Sequence, residues 1–168
     1  MFKKLLLAIV VALPLGAMAQ KFGTVDLDAV FQAMPETATA QKEIQEISKK
    51  YEDEFAKLQE EINKLYTDYQ SIVNDPAQSD EFKQTRMQEI QEKAQKVDQF
   101  RNTAMQAVQQ AQEARMAPIQ QKLVEAVKSV GVEGGYTFIF PNEPSMLLYV
   151  GTDVTDVTPL VRTKLGLQ

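Results

Sequence analysis

Asp153 and Asp156, in the stretch TDVTDVTP, are the carboxylates to weigh first for acid–base chemistry. Paired carboxylates can cleave a glycosidic bond when a pocket poises them. The chain offers them little company. It has no His and no Cys, so the usual zinc sites and the Ser-His or Cys-His nucleophiles cannot be built. No glycine-rich phosphate loop is present. Each aspartate stands two residues before a Thr, and Asp-x-Thr suits turns and caps better than catalysis. No enzyme activity, cofactor or metal is expected.

The elements that surround these residues are unevenly distributed. Glycine is absent from Thr24 to Val130, and only Pro35, Pro76 and Pro118 fall in that span. They lie 41 and 42 residues apart. Gly and Pro are the strongest local breakers, so their scarcity predicts long helices. Apolar seats agree. Ile44, Ile47, Tyr51, Phe55, Leu58, Ile62, Leu65, Tyr69 and Ile72 form a first seam. Its steps alternate three and four from Phe55 onward, a heptad pattern. The steps from Ile44 to Phe55 run three-four-four, an eleven-residue unit that relaxes a left-handed supercoil. Met87, Ile90, Ala94, Val97, Arg101, Ala104, Val108, Ala111 and Arg115 form a second seam with small and partly wet seats.

The octet NDPAQSDE (residues 74–81) divides the seams. Asp75 precedes Pro76 and is biased out of the helical region. Ser79 or Asp80 can cap the second helix. The octet therefore reads as the tip of an antiparallel hairpin. Two helices of about 40 residues would project roughly 60 Å. A kink or break is expected at Pro118, after which a broader apolar stripe suits packing on a body.

The ends carry strand signals. KFGTVDL reads as a short strand, with Asp26 capping a helix that bears Leu27, Val30, Phe31 and Met34. GGYTFIFP and SMLLYVG read as two more strands. A closing helix takes Thr158 at its N-cap, Pro159 at N1 and Gly166 at C′. The fold class is α+β, with a long antiparallel coiled-coil hairpin projecting from a small β-sheet body. The expected organisation is a signal peptide at 1–19, a body from 20–35 and 119–168, and an arm at 36–118 with its tip at 74–81. Three strands make a small core, for which association is a common remedy. Val25, Leu27, Phe138, Phe140, Leu148 and Val150 are the candidate subunit core or interface.

The first twenty residues predict export. Lys3 and Lys4 precede a short apolar run, and Ala17-Met18-Ala19 fits cleavage between Ala19 and Gln20. With no cysteine after that point, a lipid anchor is not expected. Removing Lys3 and Lys4 leaves 16 basic against 23 acidic residues, taking the formal net charge from −5 to −7. Such a chain is a poor partner for nucleic acid.

Three features together resemble the Skp/OmpH family of periplasmic chaperones. They are KFGTVDLDAVFQAMPE directly after the leader, the long polar hairpin, and APIQQKLVEAVKSVGVEGGYTFIF…LLYVGTDVTDVTPLVRTKLG. The resemblance spans essentially the whole mature chain. It implies a homotrimer whose three arms enclose a cavity for unfolded outer-membrane β-barrel proteins, without nucleotide or metal. No transmembrane barrel signature is present, despite the family's old label. One departure stands out. Better-known members carry strongly basic arms, whereas residues 36–75 here carry ten acidic and five basic residues, and 80–128 carry seven and eight. Lipid or lipopolysaccharide binding by a basic patch is therefore not carried over.

Candidate client contacts are the apolar residues beside the seam: Tyr66, Val73, Phe82, Phe100 and Met105. Flexible Met and flat aromatics suit promiscuous contact. The rival reading is a structural or adaptor coiled-coil protein of the cell envelope that grips one folded partner through its tip. Adaptors of export pumps need larger glycine-rich β domains than this chain can supply.

Overall fold

A computed structural model of the chain describes residues 20–167. The leader, including Ala19, lies outside the described residues. The elements are β1 (Lys21–Val25), α1 (Leu27–Ala33), α2 (Pro35–Val73), α3 (Asp80–Gly134), β2 (Tyr136–Pro141), β3 (Thr155–Asp156) and α4 (Thr158–Lys164). The class is α+β, as the sequence predicts.

The hairpin forms because both long helices start and stop on local signals. Pro35 sits at the first turn of α2, where its missing N–H costs nothing. That helix ends at Val73, and the Asp75 carboxylate accepts a bond from the Ala77 N–H at 2.9 Å, closing an Asx turn. Of the two candidate caps, Ser79 takes the role, its Oγ accepting from the Phe82 N–H at 3.2 Å. Asp80 and Glu81 follow in the first turn, at the positive end of the helix. Gly135 ends α3 in the left-handed region at φ 63°, which a side chain would strain.

Of the kink or break expected at Pro118, a break does not form. The helix α3 runs through it without interruption from Asp80 to Gly134. Pro118 and Ala114, whose carbonyl loses its partner, are both exposed. Water can therefore satisfy that carbonyl, while Ile119 and Leu123 on the neighbouring face are buried.

Both chain ends meet in one sheet of order β2-β1-β3, and both pairings are parallel. Parallel neighbours need a long crossover; here the crossover from β1 to β2 is the entire hairpin. The ends are tied by the Val157 N–H donating to Thr24 O at 2.8 Å, and by the Asp26 N–H donating to Thr158 Oγ1 at 2.9 Å. Asp26 itself caps α1, its Oδ1 accepting from the Ala29 N–H at 2.8 Å. At the other end, Gly166 adopts φ 74° as the expected C′ residue. Its N–H reaches Thr163 O and that of Leu167 reaches Arg162 O, a Schellman closure. The N-cap of α4 is Val157, one residue before the expected Thr158.

The third strand is a second correction. Residues 145–151 form no strand. Instead a turn forms in which Met146 and Leu147 both donate to Glu143 O. The central strand β1 has both edges occupied, one by β2 and one by Thr155–Asp156. Among the described residues the long edge left open is the outer side of β2.

The core packs one face of this sheet against the helices. Val25, Val30, Met34, Ala40, Ile119, Leu123, Ala126, Val130, Val157 and Val161 form a single buried cluster. Each large apolar side chain in it contributes roughly 1.5–3 kcal/mol of transfer free energy. The arm is far thinner. On α2 no residue from 41 to 61 is buried, and on α3 none from 98 to 118.

Candidate functional site

The Asp153–Asp156 pair builds no catalytic site. Asp156 Oδ1 accepts from the Thr158 N–H at 2.9 Å, a turn role. Among the described residues no cluster of acids could hold a metal ion, and no helix is long and apolar enough to cross a membrane. What the molecule presents are apolar surfaces, in two places.

The first is the sheet face away from the core. Strand alternation sends Ile139 inward, onto the core, and Phe138 and Phe140 outward. Phe22 pairs in register with Phe138, their rings stacked at 6.3 Å, and Phe138 meets Phe140 at 5.8 Å. This row of rings is bare: Phe138 is 57% exposed. The loop after β2 separately exposes Leu148, 98% exposed, together with Met146, Tyr149 and Val150. Of the six candidate core or interface residues, Val25 is buried within its own chain and Leu27 is half-buried. Phe138, Phe140, Leu148 and Val150 are all exposed. Sequence reasoning passed over Phe22, which its even alternation with Thr24 could have flagged.

The second surface lies along the arm. Every apolar seat of the first seam is at least half-buried, with Ile62 fully so, against Ile90 and Val97 of the second. Three ion pairs bridge the helices: Glu36–Lys122, Glu43–Arg115 and Glu61–Lys93. In each, the acid is on α2 and the base on α3, which fixes the register of the hairpin. The seam Arg115 thus has a partner, at 2.9 Å. The five candidate client contacts do not form one patch. Val73 and Phe82 flank the tip, with Arg86 stacked over the Phe82 ring at 5.2 Å and Tyr66 two turns from the end. Phe100 and Met105 sit at mid-arm, where Phe100 packs against Tyr51 at 6.0 Å and Met105 is 59% exposed. Between Ser48–Phe55 and Arg101–Gln112 the helices leave an open groove of ≈ 550 Å³.

The sequence profile described as "Outer membrane protein (OmpH-like)" matches residues 21–165. The chain belongs to the OmpH-like family. The match covers β1 through α4, so the body and the arm are both family features. OmpH-like proteins are chaperones of outer-membrane proteins in the periplasm, not a family of enzymes. No curated protein matches the chain. The OmpH-like resemblance read from the ends and the hairpin is thereby shown.

The charge ladder makes one pH-dependent prediction. The Lys122 ammonium donates to the Glu36 carboxylate and, with a backbone hydrogen bond at Glu36, holds that carboxyl below its ordinary value. A depressed carboxyl contributes stability above its unfolded pKa and loses it as pH falls through the folded one. Lys122→Gln should therefore lower Tm at pH 7, and the gap should close as pH drops below about 4. The pair is half exposed, so the gap should not exceed about 2–4 °C. A gap that persists at pH 3 in thermal melts would contradict the assignment.

Proposed function

We propose that the protein is an ATP-independent holdase that keeps unfolded outer-membrane proteins from aggregating, in a cavity between the arms of a homotrimer. The carrying observation is a body with a bare row of aromatic rings, attached to an arm with no fully buried residue at mid-length. A bare aromatic face on a small sheet is suited to self-association. In this reading residues 20–35 and 119–168 form the oligomerisation body, and 36–118 the arm with its tip at 74–81. Export by a cleavable leader places the mature chain, beginning at Gln20, in the periplasm in soluble form.

Holding an unfolded chain needs no poised chemistry. Binding the unfolded state by mass action lowers the free concentration that aggregates. Tyr66, Val73, Phe82, Phe100 and Met105 supply weak contacts spread along the arm. The near-neutral to acidic arm makes long-range steering by charge weak.

A second reading has a specific feature in its favour. Val73 and Phe82 flank the turn, where a structural adaptor of the envelope would grip a folded partner. The test is mass measurement of the purified mature protein with and without a urea-denatured barrel protein. The holdase reading expects three copies, and a complex with each of several unrelated denatured clients. A monomer, or no complex with any of them, overturns it.

A further inference from the structure

The groove at mid-arm is built into the seams. On α2 the steps from Ile44 to Phe55 make the eleven-residue unit, while α3 opposite keeps its three–four alternation. Two helices with different periods drift out of step, so knobs no longer meet holes there. The seats that α3 brings to the gap are small or charged: Arg101, Ala104 and Val108. They cannot fill the space around Tyr51 and Phe55. The gap's volume falls within the range of small-ligand sites.

Arg101 marks what fits. The other seam arginine, Arg115, is paired with Glu43. Among the described residues Arg101 has neither a hydrogen bond nor an ion-pair partner. From Asn102 to Gln112 no charged residue follows it on α3. The nearest acid on the rim, Glu52, accepts a bond from Ser48 Oγ at 2.9 Å. An unpaired guanidinium beside the apolar side chains of Tyr51, Phe55, Met105 and Val108 complements a ligand with one anionic group beside one apolar group. Glu52 disfavours a ligand that is anionic alone.

We propose that this groove is a docking subsite for an extended client segment carrying an aromatic residue and, two residues on, an acid. In an extended chain those side chains share one face, about 7 Å apart. The ring lies against Tyr51, Phe55 and Met105, and the carboxylate meets Arg101. The subsite rests on the holdase reading and gives it a recognition element.

The mature chain contains five methionines, Met34, Met87, Met105, Met116 and Met146, of which Met105 lines the groove. The experiment labels their methyl groups with carbon-13 and titrates the intact protein with a soluble heptapeptide, Gly-Ser-Phe-Ser-Glu-Ser-Gly. Met105 should shift while Met34 and Met146 stay still. Replacing the peptide's Glu by Lys, or its Phe by Ser, should weaken binding at least fivefold. Arg101→Gln should do the same for the parent peptide, and Arg101→Lys should restore it to within twofold. A silent Met105, equal shifts at Met146, or unchanged affinity in Arg101→Gln overturns the proposal. So does a Met105 shift caused by laurate but not by the peptide. Aggregation of a denatured barrel protein in the presence of wild-type protein reads separately. If suppression is absent while the peptide still shifts Met105, the holdase reading falls and the groove stands as a peptide site.

Discussion

Phe140→Asp is expected to yield monomers or insoluble protein. The reason is where the side chain points. Phe140 belongs to β2 and shares its outward face with Phe138, whose ring it touches. That face is opposite the core, which is built from Val25, Val30, Val157 and the helix residues below them. A carboxylate at position 140 in a lone chain would be solvated and would cost little. In an assembly that covers the aromatic row it would be buried without a partner, at several kcal/mol per copy. Repeated at every subunit, the penalty exceeds what a small interface can supply. Light scattering should therefore report loss of the oligomer, while circular dichroism of any soluble fraction keeps its helix content. An intact trimer would refute the placement of Phe140 in the interface. Leu148→Ser probes the exposed loop after β2 by a gentler route and should weaken association without insolubility.

Much of the fold is legible because its strongest determinants are local. The glycine-free span, the near-even spacing of three prolines and two apolar seams fix the hairpin and its tip. Caps were readable for the same reason: Asp26, Ser79 and Gly166 act through backbone groups two to four residues away. Pro118 does not break the helix because its cost depends on context. An exposed carbonyl at Ala114 and packing at Ile119 and Leu123 outweigh one missing bond. The third strand was misplaced because strand pairing is decided by free edges, which no sequence pattern displays. Met146 to Val150 has the apolar character of a strand, but Thr155–Asp156 occupies the second edge of β1 through Val157 and Thr158. The exposure of Leu148 follows from that competition. The mid-arm groove was half visible. The eleven-residue unit announces a change of period, but the unfilled space appears only when α2 is set against the small seats of α3.

Replacing Tyr66, Phe100 and Met105 together by Ser should weaken suppression of aggregation of an unfolded barrel protein without dissociating the oligomer. The three residues differ in what else they do, and this sets the design. Tyr66 and Met105 are exposed and belong to no buried cluster of the described residues. Phe100 is half-buried against Tyr51, so its loss also removes an aromatic pair of about 0.5–1.5 kcal/mol. That cost falls in the stretch of the arm with no buried residue, so local opening there should increase. The body is remote from all three, and its core contains none of them. Oligomer mass should be unchanged. Client retention rests on many contacts, each worth little, so the loss should be graded. The double variant Tyr66→Ser, Met105→Ser should retain more activity than the triple, and its melting temperature should match the wild type. Unchanged suppression in the triple variant would remove these residues from the client surface. Suppression lost only when Phe100 is changed, with a lowered melting temperature, would assign the effect to arm stability instead of client contact.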